Sequence, residues 1–110
     1  MRPAGKKRFR LDIQKPPTER DAFGRPTGDW TTVAGSIPAA IRTLSGNEVE
    51  VARQLVAKAT HMVNIGFLHK LTVTTKHRFK FGDRIFNIGH VDDVDELKLE
   101  LDCLVSEDLE

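Results

Sequence analysis

The sequence predicts a mainly β fold, a small antiparallel β-barrel of five to seven strands with one inserted α-helix at about residues 46–59. Apolar and polar residues alternate over several short segments, as they do in strands whose successive side chains point to opposite faces. One segment near the middle changes to helical spacing, and turn-forming residues separate the others. An antiparallel sheet of this size leaves no unpaired edge if it closes into a barrel.

The first predicted strand covers residues 8–14, where apolar and polar side chains alternate. Pro16 and Pro17 end this strand because proline cannot donate to a β-ladder. Residues 21–29 are rich in turn formers and predict an exposed loop. Phe23 lies at the tip of this loop, and we expect its ring to fold back on its own domain.

The second predicted strand begins at Trp30 and continues through residues 37–44. A bend or bulge is expected near Gly35 and Pro38, because both residues disturb a regular ladder. Trp30 is the largest apolar group of the chain. We therefore expect it in the core or at one end of the barrel, with a partner for its indole N–H.

A capping box predicts where the helix begins. Ser45 is a favourable N-cap, and Glu48 follows three residues later. The apolar stripe of this helix consists of Val49, Ala52, Val56 and Ala59, widened by Leu55. Because a helix of about 14 residues is marginal alone, the stripe is expected to pack on the sheet.

Alternation predicts two further strands, at residues 63–67 and 97–105. The threonine-rich residues 69–76 between them are interpreted as a loop or an edge segment. Cys103 falls on the apolar face of the last strand and is expected to be an inert core residue. The acidic tail, residues 106–110, is expected to be flexible.

A tight hairpin is predicted around the two-residue turn Gly82–Asp83, because glycine suits the position that needs a positive φ. This register pairs Phe81 with Arg84 and Phe79 with Phe86. One face of the hairpin then carries Phe79, Phe81, Phe86 and Ile88.

Opposite charges are concentrated at the two ends of the chain. Residues 1–10 carry only basic charges, whereas residues 92–110 carry nine acidic residues and Lys98 alone as a base. Three interpretations are open: two solvated termini, complementary poles that dock with copies or partners, and a basic arm that touches nucleic acid. The chain is expected to be one domain, residues 1–110, with a flexible basic arm at residues 1–6.

No catalytic, cofactor or metal site is predicted. The sequence lacks a glycine-rich phosphate loop and a nucleophile elbow, and its four histidines and single cysteine lack the spacing of metal motifs. The acidic turn at residues 92–95 does not match a calcium loop. No apolar run approaches the ~20 residues of a membrane span. We therefore expect no enzyme activity and no membrane partner.

A free-standing nucleic-acid-binding β-barrel is the alternative function. Small barrels bind single strands through basic grooves and aromatic platforms. The predicted hairpin has a basic face, which consists of Lys76, Arg78, Lys80 and Arg84. The aromatic residues are expected to point inward, so the sequence supports contact with a nucleic-acid backbone rather than base recognition.

The order and spacing of several short motifs resemble the phage head–tail joining, or head-closure, family over most of the chain. These motifs are Arg8–Gln14, Arg20–Gly24 followed by Trp30, Leu44–Glu48, Thr60–His61, Gly82–Ile88 and Leu99–Cys103. The chain departs from the family at Gly66–Phe67, where an Arg-Tyr pair is common, and in residues 68–76.

The resemblance implies a structural subunit of a virion, from a phage, a prophage or a gene transfer agent, that is assembled in the host bacterial cytoplasm. Such subunits form a homo-oligomeric ring, commonly a dodecamer, below the portal or its adaptor protein. The ring closes the DNA channel after packaging and docks the tail terminator or tail tube protein, and it could touch the packaged DNA non-specifically. The family has no catalytic residues and no cofactor.

We expect residues 21–29 and 68–76 at subunit or partner interfaces or in the channel, because both segments have a poor core pattern and could rearrange. The basic start and the acidic end of the chain are candidate docking poles. The candidate interface or channel residues are Arg8, Arg10, Asp21, Phe23, Arg25, Leu68, His69, Lys70, Thr72, Thr74 and Lys76.

Overall fold

A computed structural model describes residues 9–68 and 70–108 of the chain. Within these residues six antiparallel strands close into a barrel in the order β1-β2-β3-β6-β5-β4. The elements are β1 (Phe9–Lys15), β2 (Thr31–Thr43), α1 (Asn47–Leu55), β3 (His61–Gly66), β4 (Arg78–Phe81), β5 (Arg84–Asp93), a short 3₁₀ helix (Val94–Glu96) and β6 (Glu100–Asp108). The predicted mainly β barrel with one helix is confirmed. The order places β1 opposite β6, and β3 opposite β4.

The barrel is filled by side chains that alternate strand residues direct inward. Phe79 and Phe86 are the largest of the fully buried side chains. The other fully buried members of this core are Leu11, Ile13, Ala39, Val63, Ile65, Cys103 and Val105. Burial raises the pKa of the Cys103 thiol to about 12, so this thiol stays protonated and unreactive near neutral pH.

The hairpin of β4 and β5 has the predicted register. Phe81 pairs with Arg84, and Phe79 pairs with Phe86. Gly82 adopts a φ of 60°, the conformation that a two-residue turn requires and that glycine adopts without strain. Turn chemistry and the buried face therefore select the same register.

The predicted bulge in β2 lies at Gly35 and Ser36, where the pairing of β1 with β2 shifts register. Ser36 has a φ of 53°, and its N–H donates to Oδ1 of Asp12 at 3.1 Å. This bond compensates the ladder bond that the bulge removes. Pro38, by contrast, pairs with Arg10 in the regular part of the ladder.

Helix α1 is shorter than predicted, because it ends at Leu55 and Val56 is already extended. Ala52 and Ala59 are buried in a second apolar cluster with Leu104. Val56 packs against the same cluster from beyond the helix end, so the apolar stripe does cover the sheet. Leu55, however, is 64% exposed, and the prediction that it widens the buried stripe was wrong.

The predicted capping box was also wrong. Gly46 occupies the N-cap position, and no side chain makes a capping hydrogen bond. The carboxylate of Glu48 forms an ion pair with Arg42 of β2, and this contact, with a smaller contribution from the backbone of Ser45, lowers the pKa of Glu48. Glu48 therefore ties the first turn of the helix to the barrel wall.

The last strand begins later than predicted, at Glu100. Glu96 and Lys98 have positive φ values of 56° and 55°, which interrupt the strand, and Leu97 and Leu99 are exposed. The other end is longer than predicted, because β6 continues to Asp108 and its last residues pair with β5. Residues 106–108 are therefore part of the barrel wall.

An ion pair and a histidine lie together near the end of β6. Nε and Nη2 of Arg84 donate to the carboxylate of Glu107 at 2.7 and 3.0 Å. The imidazole of His61 packs edge-on against Phe86 and lies within hydrogen-bonding distance, 2.8 Å, of the hydroxyl of Thr60. Burial lowers the pKa of His61, Glu107 opposes this shift, and Arg84 adds to it.

We expect the chain to become less stable as the pH falls from 7.5 to 5.5. Since the pKa of His61 is lower in the folded chain than the usual value of about 6.5, the unfolded chain takes up the proton first. The contribution of His61 to the free energy of unfolding is therefore fully present above about pH 6.5, and it is lost as the pH falls through the pKa of His61 in the folded chain. Urea unfolding at several pH values measures how the free energy of unfolding changes with pH. His61→Asn should flatten this pH dependence, whereas an equal pH dependence in the wild-type and His61→Asn proteins would contradict the assignment.

Candidate assembly surfaces

Residues 20–26, here called the Phe23 loop, form a tightly bonded turn between β1 and β2. A β-bridge joins Arg20 to Pro26 at its base. Oδ1 of Asp21 accepts the N–H groups of Phe23 and Arg25 at 2.8 and 3.0 Å. The guanidinium of Arg20 donates to the carbonyl oxygen of Gly24 at 2.9 Å. The carboxylate of Asp21 therefore shapes the loop from within.

The ring of Phe23 points away from the barrel and is 84% exposed, so the expectation that it folds back was wrong. The guanidinium of Arg25 lies 5.9 Å from the centre of this ring. Arg20 and Arg25 are both exposed. The loop thus presents one aromatic ring between two cations on a rigid base, the composition that anchors many protein interfaces.

Residues 67–77, here called the crossing segment, connect β3 to β4. Because these strands lie on opposite sides of the barrel, the segment has to cross one barrel end. Val73 is buried, and Leu68 and Leu71 pack against the barrel core. The interpretation that this segment has little contact with the core was therefore wrong, since its apolar side chains cover the core at that end.

The polar side chains of the crossing segment divide into two groups. Thr74 is half-buried, and its N–H donates to Nδ1 of His77 at 3.1 Å. The hydroxyl of Thr74 accepts the N–H of Lys76 at 3.2 Å, so it holds the turn before β4. The side chains of Lys70, Thr72 and Lys76 are exposed and are the available candidates for a partner or for DNA.

Two of the four cations on the predicted basic hairpin already have partners. Arg78 stacks over Trp30 with its guanidinium 4.1 Å from the ring centre, and its Nε donates to Oε1 of Gln14 at 2.8 Å. Arg84 is paired with Glu107. The contacts of Arg78 hold its guanidinium against the half-buried Trp30. The ion pair with Glu107 offsets the charge of Arg84, so this residue offers less positive charge to a phosphate backbone.

Charge is unevenly distributed around the barrel wall. A basic flank on β1 and β4 contains Arg10, Lys15 and Lys80. An acidic flank on β6 and the end of β5 contains Asp92, Glu100 and Asp102. Because β1 and β6 lie opposite each other, the centres of the two flanks face different sides of the subunit.

An apolar groove of about 430 Å³ lies between α1 and the outer face of β3, β5 and β6. Its apolar lining consists of Leu44, Val51, Ala52, Leu55, Met62 and Leu104. Three carboxylates, Glu48, Asp92 and Asp102, also line it. Val51 and Leu55 are 62% and 64% exposed, so the helix side of the groove is open to solvent.

The sequence-predicted interface residues fall into three places. Asp21, Phe23 and Arg25 lie together in the Phe23 loop, and Arg10 lies on β1 with its guanidinium 3.4 Å from the carbonyl oxygen of Ser36. The described members of the crossing segment cover one barrel end. Arg8 and His69 lie outside the described residues.

Sequence reasoning did not find the groove. Its exposed walls, Val51 and Leu55, are apolar residues of α1 outside the stripe that packs on the sheet. This excess of apolar residues around a short helix was the available signal, because a helix that covers a sheet with one face usually carries polar residues on the other.

Among the described residues, no group of three or more histidine, cysteine, aspartate or glutamate side chains is placed to hold a metal ion. The same part of the chain includes no helix with the length and apolar character that crossing a membrane would need.

Comparison with solved structures gives the same fold in another protein. The solution structure of protein SF1141 from Shigella flexneri 2a superimposes with a TM-score of 0.72 at 22% sequence identity, and the match covers 96% of each chain. At this identity the likeness concerns the fold alone. The comparison with curated proteins gave no match.

The described residues form a small closed barrel with charged flanks, an exposed aromatic loop and an apolar groove, surfaces that suit a protein that binds other proteins. The family model of the phage head completion proteins matches residues 2–108, and the chain belongs to this family. It is therefore a structural, non-enzymatic component of a phage virion that takes part in joining head and tail. The resemblance seen in the sequence motifs is confirmed.

Proposed function

We propose that copies of this chain form a closed ring below the portal or its adaptor, where the ring closes the DNA channel after packaging and docks the tail. Membership of the head completion family supports association with other head and tail proteins.

The observation that carries the ring is the position of the two charged flanks. A heterologous contact joins unlike surfaces of neighbouring copies and closes by rotation. In a ring of twelve copies each subunit is turned by only about 30° from the next, so its two contact surfaces have to lie on nearly opposite sides. The basic β1 and the acidic β6 meet this requirement because three strand positions separate them in either direction.

The two irregular segments are the proposed contacts with the channel and with partners. Lys70, Thr72 and Lys76 are exposed on the crossing segment, at one end of the barrel. A cation in such a position attracts a DNA backbone without reading its sequence. The Phe23 loop, between β1 and β2, is the second contact.

Electron microscopy of particles that contain this chain tests the proposal directly. We expect a ring of identical barrels between the portal or adaptor and the tail, with the crossing segment or the Phe23 loop at an interface or in the channel. A single copy per particle would contradict the ring. Both segments facing bulk solvent in the assembled particle would contradict the proposed contacts.

Reversing the charges of Arg8 and Arg10 should weaken assembly of the virion in a salt-dependent way. In Arg8→Glu/Arg10→Glu two positive charges at the start of the chain become negative, so the attraction to the acidic flank of the next copy weakens and fewer heads acquire tails. The loss relative to wild type should be largest at about 0.01 M salt and small at about 1 M, where the Debye length is only about 3 Å. The fraction of tailed, DNA-filled particles measures the effect.

Two further variants control this experiment. Arg53→Glu/Lys58→Glu reverses the same number of charges away from the basic flank and should leave assembly near the wild-type level. Adding Glu100→Arg to the double variant places one positive charge on the acidic flank for the new carboxylates to face, and should recover part of the loss. Unchanged assembly of Arg8→Glu/Arg10→Glu at low salt would contradict docking through these charges.

A further inference from the structure

We propose that the Phe23 loop of one copy docks into the apolar groove beside α1 of the next copy, with the ring of Phe23 in the groove. This inference rests on the proposed ring and specifies the contact that joins its subunits. It depends on the size of the groove, the charges around both surfaces and their positions in the fold.

The groove has room for the ring. Its volume is about 430 Å³, whereas a cavity of about 150 Å³ in another protein already binds benzene. Its walls are Leu44, Val51, Leu55, Met62 and Leu104, all of which offer apolar contact. Docking would cover both the exposed phenyl ring and the exposed helix side of the groove, which are unfavourable surfaces when left in water.

The charges of the two surfaces are complementary. Arg20 and Arg25 lie on either side of Phe23 in the sequence, whereas the groove carries the carboxylates of Asp92 and Asp102, together with Glu48, which is paired with Arg42. Asp21, the acidic residue inside the loop, directs its carboxylate oxygen to the N–H groups of the loop itself. A cationic loop with an aromatic tip therefore meets an apolar groove with anionic borders.

The fold separates the two surfaces within one subunit. The Phe23 loop precedes β2, and α1 with its groove follows β2. β2 has 13 residues, on the order of 40 Å of extended chain, so the loop cannot reach its own groove. The contact is therefore intermolecular and heterologous, and each subunit offers one loop and one groove, as a closed ring requires.

The loop needs little reorganisation to bind. The bridge from Arg20 to Pro26 and the two bonds to Asp21 hold its backbone before any partner is present. A side chain on a pre-formed loop loses less conformational entropy on binding than one on a flexible segment. Rigid aromatic and arginine side chains are also the residues that carry most of the energy in many interfaces.

Cross-linking between engineered cysteines tests the contact. Phe23→Cys/Leu55→Cys places one thiol on the loop and one on the wall of the groove, while the native Cys103 stays buried. Mild oxidation of assembled particles should give a ladder of covalently joined copies up to the full ring. Phe23→Cys/Glu50→Cys is the matched control, because Glu50 is exposed on the same helix but does not line the groove. A ladder that is equally strong in the control would overturn the proposal.

Footprinting of the unmodified chain gives a second readout that does not depend on the variants. Hydroxyl-radical oxidation of both Phe23 and Met62 should fall several-fold on going from the isolated chain to the assembled particle. Protection of Phe23 alone would place the loop against a different protein and overturn the groove as its site.

The two readouts separate this proposal from the ring itself. A ring seen by electron microscopy, with Phe23 and Met62 both still oxidised, would overturn the loop-in-groove contact and leave the ring standing. Particles without any ring of this chain would overturn both.

Discussion

Phe86→Ala should lower the free energy of unfolding by about 3–5 kcal/mol. Phe86 is fully buried inside the barrel, where it pairs with Phe79 across the hairpin and packs against His61. Truncation removes apolar contact and leaves a cavity that the closed wall of strands cannot easily fill. Since a domain of this size is stabilised by only about 5–15 kcal/mol, this change removes a large share of its stability. Urea unfolding followed by far-ultraviolet circular dichroism measures the loss.

Phe23→Ala is the matched control, because it removes the same group from an exposed position. Its effect on the free energy of unfolding should stay within about 0.5 kcal/mol. A loss below about 1 kcal/mol in Phe86→Ala would show that the ring does not occupy the core and would contradict the hairpin register.

Gly89→Ala should cost about 1–3 kcal/mol, because the added methyl group collides with the segment that follows α1. A Cβ at Gly89 would lie 2.5 and 2.8 Å from the two Cγ atoms of Val56 and 3.2 Å from its Cβ. Val56 is short and branched, so no rotation of its side chain clears all three contacts. Gly89 lies at the irregularity in the pairing of β5 with β6, and its lack of a side chain lets the chain after the helix approach the sheet.

A double-mutant cycle separates this collision from other effects of the added methyl group. In a Val56→Ala background the obstructing methyl groups are gone, so Gly89→Ala should cost at least about 1 kcal/mol less than in the wild-type chain. Gly66→Ala is the control within the same sheet, since its Cβ would meet no atom within 4 Å, and it should change stability by less than about 0.5 kcal/mol. Additive effects of Gly89→Ala and Val56→Ala would contradict the proposed collision.

The parts of the fold that were predictable from the sequence are those where two independent signals agree. At the hairpin, the glycine of the turn and the alternation of phenylalanine residues select one register, and that register is present. At residues 97–99 only alternation was available. The same alternation is compatible with an irregular connection, and the positive φ values of Glu96 and Lys98 are not visible in a pattern of apolar residues.

The C-terminal end of helix α1 was also not predictable from the spacing of apolar residues. Val56 and Ala59 continue the helical spacing of apolar residues, so the helix predicted from the sequence ran to residue 59. The structure keeps both residues in the same apolar cluster but reaches them with an extended chain. The spacing of apolar residues predicts which side chains are buried together. It does not predict whether the backbone between them is helical or extended.

The candidate surfaces were less predictable than the fold, because they depend on which exposed residues come together in space. The exposed position of Phe23 follows from bonds between Asp21 and the loop backbone, which composition does not reveal. The groove combines residues from four elements, so it exists only once the helix lies across the sheet. The opposition of the charged flanks likewise follows from strand order, which places the first and last strands on opposite sides.

Closure of the described strands into a barrel limits how copies of this chain can meet. Each strand of the wall has a hydrogen-bonded neighbour on both sides, so the described barrel has no unpaired edge strand to which a strand of another molecule could pair. Association at the wall has to rely on side chains and loops, whose strength depends on geometry and salt. Pairing between sheet edges, a common route by which β proteins polymerise, is therefore closed to the described barrel wall.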